Sequence, residues 1–185
     1  MEEVKFLTVF ANFGLQTKPD WMDAFRIKYD KPYPYHITLK TTATFDPKDT
    51  EIVKKQLRDI CSNYKPIPIS FNSIWTEFAT KSWCIMIEPS DPSEIINLQK
   101  DISGALEPYS IHTSEKRRMF ERNFRPHITI ARCASIEALE HAKVEMGADI
   151  TCSAAIDTVD LAIAPRDEYE EWVNPRSLTK FTLKG

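Results

Sequence analysis

Glycine is scarce in this chain: there are four in 185 residues, Gly14, Gly104, Gly147 and Gly185. Loops that cradle phosphate with backbone amides need several closely spaced glycines, so a P-loop and a Gly-x-Gly-x-x-Gly fingerprint are both excluded. Cysteine is equally sparse. Cys61, Cys84, Cys133 and Cys152 are scattered without a Cys-x-x-Cys pair, which leaves no metal-ligand spacing and points to buried, reduced thiols. No run approaches the roughly 18 consecutive apolar residues of a membrane span, and Met1-Glu2-Glu3-Val4-Lys5 lacks a signal-peptide pattern. Positive charge is not in excess either. With 24 Lys and Arg against 27 Asp and Glu, the net charge of −3 argues against non-specific coating of nucleic acid. The expectation is a cytoplasmic protein with no membrane partner.

What is present is a globular composition, 42% hydrophobic and 28% charged, long enough over residues 1–185 for a single bilobal domain. Histidine occurs only four times, yet two of the four sit in copies of one triplet. Tyr35-His36-Ile37-Thr38-Leu39-Lys40 is answered 91 positions later by Pro126-His127-Ile128-Thr129-Ile130-Ala131. Both stretches are β-branched and apolar and read as strands. Alternation then puts His36 with Thr38, and His127 with Thr129, on one face, while Ile37, Leu39, Ile128 and Ile130 face the other way. A single histidine on a strand is most often structural. Its repetition with a hydroxyl in the same register argues for chemistry.

The remaining pattern alternates strands and one-sided helices. Strands are expected over Lys5 to Ala11, Tyr35 to Ala43, Ile67 to Thr80, Trp83 to Ile87, around the second triplet, Ile150 to Ala154, Thr158 to Ala164 and Leu178 to Leu183. Helices are expected after Pro19-Asp20, after the Asp46 cap with Pro47, after Pro92-Ser93-Glu94 and after Ser135. Between about Pro108 and Phe124 there is no clean period, and the stretch is basic, with Lys116, Arg117, Arg118, Arg122 and then Arg125. Two halves, each with one His-x-Thr strand, suggest an α+β protein of two ferredoxin-like lobes with antiparallel sheets.

Two strands that each carry His-x-Thr, about 90 residues apart in two similar halves, resemble the 2H phosphoesterase superfamily, which includes 2′-5′ RNA ligase-like proteins and cyclic nucleotide phosphodiesterases. The resemblance covers most of the chain. It implies that the lobes are related by a pseudo-twofold axis and pair their motif strands across a central cleft. It also implies an RNA end or small nucleotide as substrate, such as a 2′,3′-cyclic phosphate or a 2′-5′ linkage, with ligation as the reverse reaction.

The residues themselves suit that chemistry. Two imidazoles titrating near neutrality can share the base and acid roles of phosphodiester cleavage, without a metal or other cofactor. Thr38 and Thr129 are placed to donate to the phosphoryl oxygens. Around them Lys40 has the parity of His36, Arg132 has the opposite parity to His127 and needs a strand end or a bulge to reach the site, and Arg125 ends the basic run. Tyr35, Trp83, Tyr169 and Trp172 are candidates to stack on a base. His112 lies in a polar loop and is set aside, and His141, in a helix, reads as structural. No obligatory protein partner is implied, and a monomer is expected. Two alternatives remain at this level: a nucleotide or RNA binding module of the same fold without turnover, and a zinc site built from His36, His127 and Cys133, whose ligands lack the usual close pairs.

Overall fold

Short-range chemistry sets the element boundaries. Asp46 accepts a hydrogen bond from the Lys48 amide at 3.0 Å and Pro47 takes the next position, so the chain enters a 3-10 turn there before its first long helix. Ser135 accepts from the Ala138 amide at 3.2 Å to start a later helix in the same way. In this computed structural model residues 5–30, 33–79, 81–165 and 178–185 are described. Among them run β1 (Lys5–Phe13), β2 (Leu15–Thr17), α1 (Trp21–Tyr29), β3 (Tyr35–Phe45), α2 (Thr50–Ser62), β4 (Ile67–Ala79), β5 (Ser82–Pro89) and α3 (Ser93–Leu106). They are followed by β6 (Ile111–His112), α4 (Glu115–Arg122), β7 (Ile128–Cys133), α5 (Ile136–Glu145), β8 (Cys152–Ile156), β9 (Thr158–Ala164) and β10 (Leu178–Thr182).

The strands form two antiparallel five-stranded sheets, ordered β10-β9-β1-β3-β6 and β2-β8-β4-β5-β7. This is the expected α+β architecture with one His-x-Thr strand in each sheet. The halves are not consecutive in the chain, however. Strands β9 and β10, from the far end, complete the sheet of β1 and β3, while the short β2 crosses to pair with β8. The aperiodic basic stretch is also structured. Ser114 accepts from the Arg117 amide at 3.3 Å and caps α4, which lies against β3 and β6.

Each motif strand carries an extra residue at the matching position, and β3 carries a second one where Thr8 alone faces Thr41 and Thr42. Val9 pairs with Lys40 but its neighbour Phe10 pairs with Thr38, so Leu39 has no partner of its own across the ladder. Ile85 pairs with Ala131 and Met86 with Thr129, so Ile130 is extra in the same sense. These β-bulges stand 91 positions apart, like the triplets, and a bulge reverses the alternation of every residue after it. Thr41 and Arg132, also 91 apart, are thereby swung onto the faces of their sheets that carry His36 and His127.

One contiguous apolar cluster joins both sheets, drawing Leu7, Val9, Ile37 and Leu39 from the first and Ile85, Ile87, Ile128 and Ile130 from the second. Helices α2 and α3 add Val53, Leu57, Leu98 and Ile102. All four cysteines are buried free thiols. Gly147, after α5, passes the Trp21 ring so closely that an added Cβ would fall 2.4 Å from it. None of the helices among the described residues is long and apolar enough to cross a membrane. Leu57 is fully buried and remote from the motif strands, so Leu57→Ala is expected to cost about 2–5 kcal/mol by transfer and cavity terms. A urea titration should show this as a lower midpoint with an unchanged slope.

Candidate active site

At the junction of the two sheets lies a hollow of about 350 Å³ bordered by His36, Thr38 and Thr41 from β3 and by His127, Thr129 and Arg132 from β7 and the residue before it. The two triplets thus converge on one space. His36 Nδ1 is 3.0 Å from the Pro34 carbonyl and His127 Nδ1 is 2.8 Å from the Arg125 carbonyl, each ring reaching back two residues along its own chain. A carbonyl only accepts, so Nδ1 carries the proton in the neutral ring and the Nε2 lone pair is the one available for proton exchange. Aromatic edges hold the rings from the side: Phe10 meets His36 with centroids 5.2 Å apart, and Trp75 and Phe120 meet His127 at 5.6 and 6.1 Å.

Burial lowers the pKa of both histidines, because the imidazolium loses solvation that the neutral ring does not need. For His36 the shift is large, to about 4: desolvation dominates, the Pro34 carbonyl opposes it, and the positive charges of Arg132 and Arg26 add to it. For His127 desolvation is partly countered by the Arg125 carbonyl and by the carboxylates of Glu77 and Glu88. Both rings are therefore neutral in the unliganded cleft at pH 7.

The outer candidates divide. Arg132 reaches the hollow through the Ile130 bulge, as its parity required, and its guanidinium is paired with Asp30, whose side chain is only 1% exposed at the end of α1. Lys40 does not reach it. The Leu39 bulge reverses its parity and turns it toward α3 and α4, where it is fully buried against Glu121 at 3.2 Å. Tyr35 precedes His36 and so takes the opposite face, with its ring under the Arg26 guanidinium at 4.1 Å, its hydroxyl donating to Asp23 at 3.3 Å and its phenol pushed up to about 12 by burial. Arg125 is turned outward, over the Trp75 ring at 4.0 Å and paired with Glu88, and contributes only its carbonyl to the site.

Tyr169 and Trp172 lie outside the described residues. Trp83 packs edge-on against Phe78 at 5.4 Å. Of the basic run, Arg117 is held by the Thr113 hydroxyl and Arg118 by Glu115. His112 contacts Glu121 at 2.9 Å beneath α4, and His141 is exposed on α5 rather than packed. Cys133 faces the core on the far side of β7, so the three side chains of the zinc alternative are not brought together. Among the described residues there is no group of three or more His, Cys, Asp or Glu side chains arranged to hold a metal ion.

The site residues not anticipated include Thr41, Phe120, Lys81 and Met86 of the hollow and Trp75 behind His127. Adding the 91-residue offset would have pointed to Thr41 as the counterpart of Arg132. For Phe120 and Trp75 no sequence signal distinguished them from the other aromatics.

Two antiparallel sheets meeting at paired His-x-Thr strands define a class of protein, and the comparisons agree with that class. The sequence matches the 2′-5′ RNA ligase superfamily over residues 16–168. A Geobacillus kaustophilus protein named as a phosphoesterase is 30% identical over 117 residues, which span 61% of this chain and 61% of that relative's length. Solved structures similar over nearly the whole chain include E. coli LigT complexed with 3′-AMP (14% identity, 98% and 97% of the two chains, TM-score 0.56) and TT0787 of Thermus thermophilus (15%, 98% of each, 0.54). Kluyveromyces marxianus Usb1 with uridine monophosphate is another (10%, 98% and 99%, 0.53). The chain belongs to the 2′-5′ RNA ligase superfamily, within the 2H phosphoesterases.

The lowered histidine pKa values have a consequence for stability. Between the folded value of about 4 for His36 and the ordinary 6.5, the unfolded chain binds more protons than the folded one, so stability rises with pH across that window and is lost as pH falls through it. His127 acts in the same direction. The His36→Gln variant is therefore expected to lose less melting temperature than the parent between pH 7.5 and pH 5. Equal losses in the two proteins, measured by thermal melts, would remove His36 from the acid-sensitive set.

Proposed function

We propose that this protein is a metal-independent phosphodiesterase that hydrolyses a 2′,3′-cyclic phosphate, a 2′-5′ linkage or a related nucleotide phosphodiester with His36 and His127 as general base and acid. The observation that carries this reading is that both imidazoles, with Nδ1 tied back to backbone carbonyls, border one hollow together with two threonine hydroxyls. The ligands named with LigT and Usb1, 3′-AMP and uridine monophosphate, support a substrate of nucleotide size.

In the proposed reaction one neutral ring takes the proton of the attacking water at Nε2 as its oxygen bonds to phosphorus. The other, protonated, ring gives its proton to the departing ribose oxygen as the phosphorus–oxygen bond breaks. Thr38 and Thr129 donate to the non-bridging oxygens, and Arg132 adds fixed positive charge. Since both rings are neutral beforehand, the catalytic acid must take up a proton, and the anionic phosphodiester favours that uptake by stabilising an imidazolium beside it. With a 5′-hydroxyl in place of the water and a 2′,3′-cyclic phosphate as the ester, the same base and acid roles form a 2′-5′ linkage as the phosphorus–O3′ bond breaks and O3′ takes the proton.

Either His36→Ala or His127→Ala should lower turnover at least about 100-fold on the substrate that the wild type cleaves, the usual scale for a general acid or base. Cyclic phosphates, 2′-5′ oligonucleotides and cyclic dinucleotides, with products read by mass spectrometry, form the panel. Activity is expected to persist in chelator; its complete loss there, or unchanged turnover in both variants, overturns the proposal. Binding without product across the panel would favour a module that holds nucleotides and does not cleave them.

The pH profile is a separate check. With both pKa values below the ordinary 6.5, the singly protonated pair is most populated on the acid side, so wild-type kcat/KM should peak below pH 6.5 and fall toward alkaline pH.

A further inference from the structure

The two bulges deliver chemically different side chains to equivalent positions. Arg132 offers only donors. At the other end Thr41 is fixed in the opposite sense by Glu121 of α4, whose Oε1 accepts both the Thr41 backbone N–H and the Thr41 hydroxyl, each at 2.9 Å. The Glu121 side chain is 8% exposed and is itself held by Lys40 Nζ at 3.2 Å and His112 Nε2 at 2.9 Å. Burial pushes the Glu121 carboxyl up, but Lys40, His112 and the Thr41 bonds outweigh it and keep the group below its ordinary pKa, hence ionised and accepting only. The Thr41 hydroxyl proton is thus committed to Glu121, and what the oxygen presents to the hollow is lone pairs. Among the described residues the hydroxyls of Thr38 and Thr129 have no such protein partner and remain able to donate.

Anionic phosphoryl oxygens are acceptors and find no donor at Thr41, with a carboxylate directly behind it. A hydroxyl does. Thr41 lies past the bulge, about 7 Å along the strand from Thr38, far enough to address the sugar beside a phosphate gripped at Thr38 and Thr129. We propose that Thr41, positioned by Glu121, is a specificity-determining acceptor that selects a free ribose hydroxyl next to the phosphate, with the anionic side of the ligand toward Arg132. This rests on the nucleotide-phosphodiester reading of the cleft. Within that reading it favours a 2′-5′ linkage or an opened nucleotide phosphate, each with a free vicinal hydroxyl, over a 2′,3′-cyclic phosphate, which has none, and it sets one direction of binding.

The test uses binding, so that it does not depend on turnover. Dissociation constants of 3′-AMP and its 2′-deoxy analogue are measured by calorimetry on the wild type, Thr41→Val, Thr41→Ser and Glu121→Gln. The wild type should prefer 3′-AMP by about threefold to tenfold, the scale of one neutral hydrogen bond. Thr41→Val should abolish that preference by weakening 3′-AMP alone, and Thr41→Ser should retain it. Glu121→Gln, whose amide can donate to Thr41, should reduce it while leaving the deoxy analogue little changed. A purely structural role for Thr41 predicts equal weakening of both ligands, and that result, or equal wild-type affinity for both, overturns the inference. A preference without turnover on any substrate leaves this inference standing and removes the enzyme reading; turnover without preference does the reverse. Absence of binding by either nucleotide overturns this inference, and the enzyme reading is then decided by turnover on the diester panel alone.

Discussion

The hydrogen bond from each motif imidazole to the carbonyl two residues earlier on its own chain is the constraint from which the site follows. Residues i and i−2 of an extended segment lie on the same side, so the ring folds back along the backbone and needs no second element to orient it. The bond fixes the tautomer, and the tautomer fixes which nitrogen meets a ligand. Because the same local device is used at His36 and at His127, the two rings are prepared alike although they belong to different sheets. Their equivalence is a matter of backbone geometry, and only the surroundings make them differ.

Those surroundings diverge just past the bulges. On one side a guanidinium is steadied by a buried aspartate, and on the other a threonine is steadied by a buried glutamate that also neutralises Lys40. A buried ion pair is a poor source of stability, since desolvating both charges consumes most of what their attraction returns. Here the carboxylate also accepts from an edge amide and a hydroxyl of β3, so it fixes the shape of that strand where β6 is too short to do so. Phe120, next to Glu121 on α4, is thereby set against His127, and the first lobe helps to shape the second lobe's half of the hollow.

The faces of both motif strands that border the hollow were legible in the sequence, because strict alternation from His36 to Thr38 and from His127 to Thr129 needs only period-two geometry. The bulges were not. Leu39 and Ile130 are ordinary core residues with no glycine or proline to mark an irregularity, and the signal lies in the ladder partner and not in the strand itself. That is why Lys40, read by simple parity, was expected in the cleft, and why Thr41 was passed over. Helix α4 was missed for a different reason: at eight residues it is too short for its apolar spacing to stand out from its charges. The interleaving of the sheets was likewise hidden, since nothing in β9 or β10 says which edge each will join. Arg132 was the instructive middle case, with parity stating the condition under which it would take part and the Ile130 bulge meeting that condition.

The interleaving has a bearing on how the molecule is made. Strand β1, directly behind the His36 strand, keeps one edge unpaired until β9 arrives, and almost the whole second lobe lies between them in the chain. During synthesis on a ribosome the second lobe's β4, β5 and β7 emerge and can pair while the first lobe's sheet still lacks its outer strands. The hollow is therefore assembled late, and nascent chains interrupted before β9 would carry both histidines yet expose an apolar strand edge open to pairing with other chains.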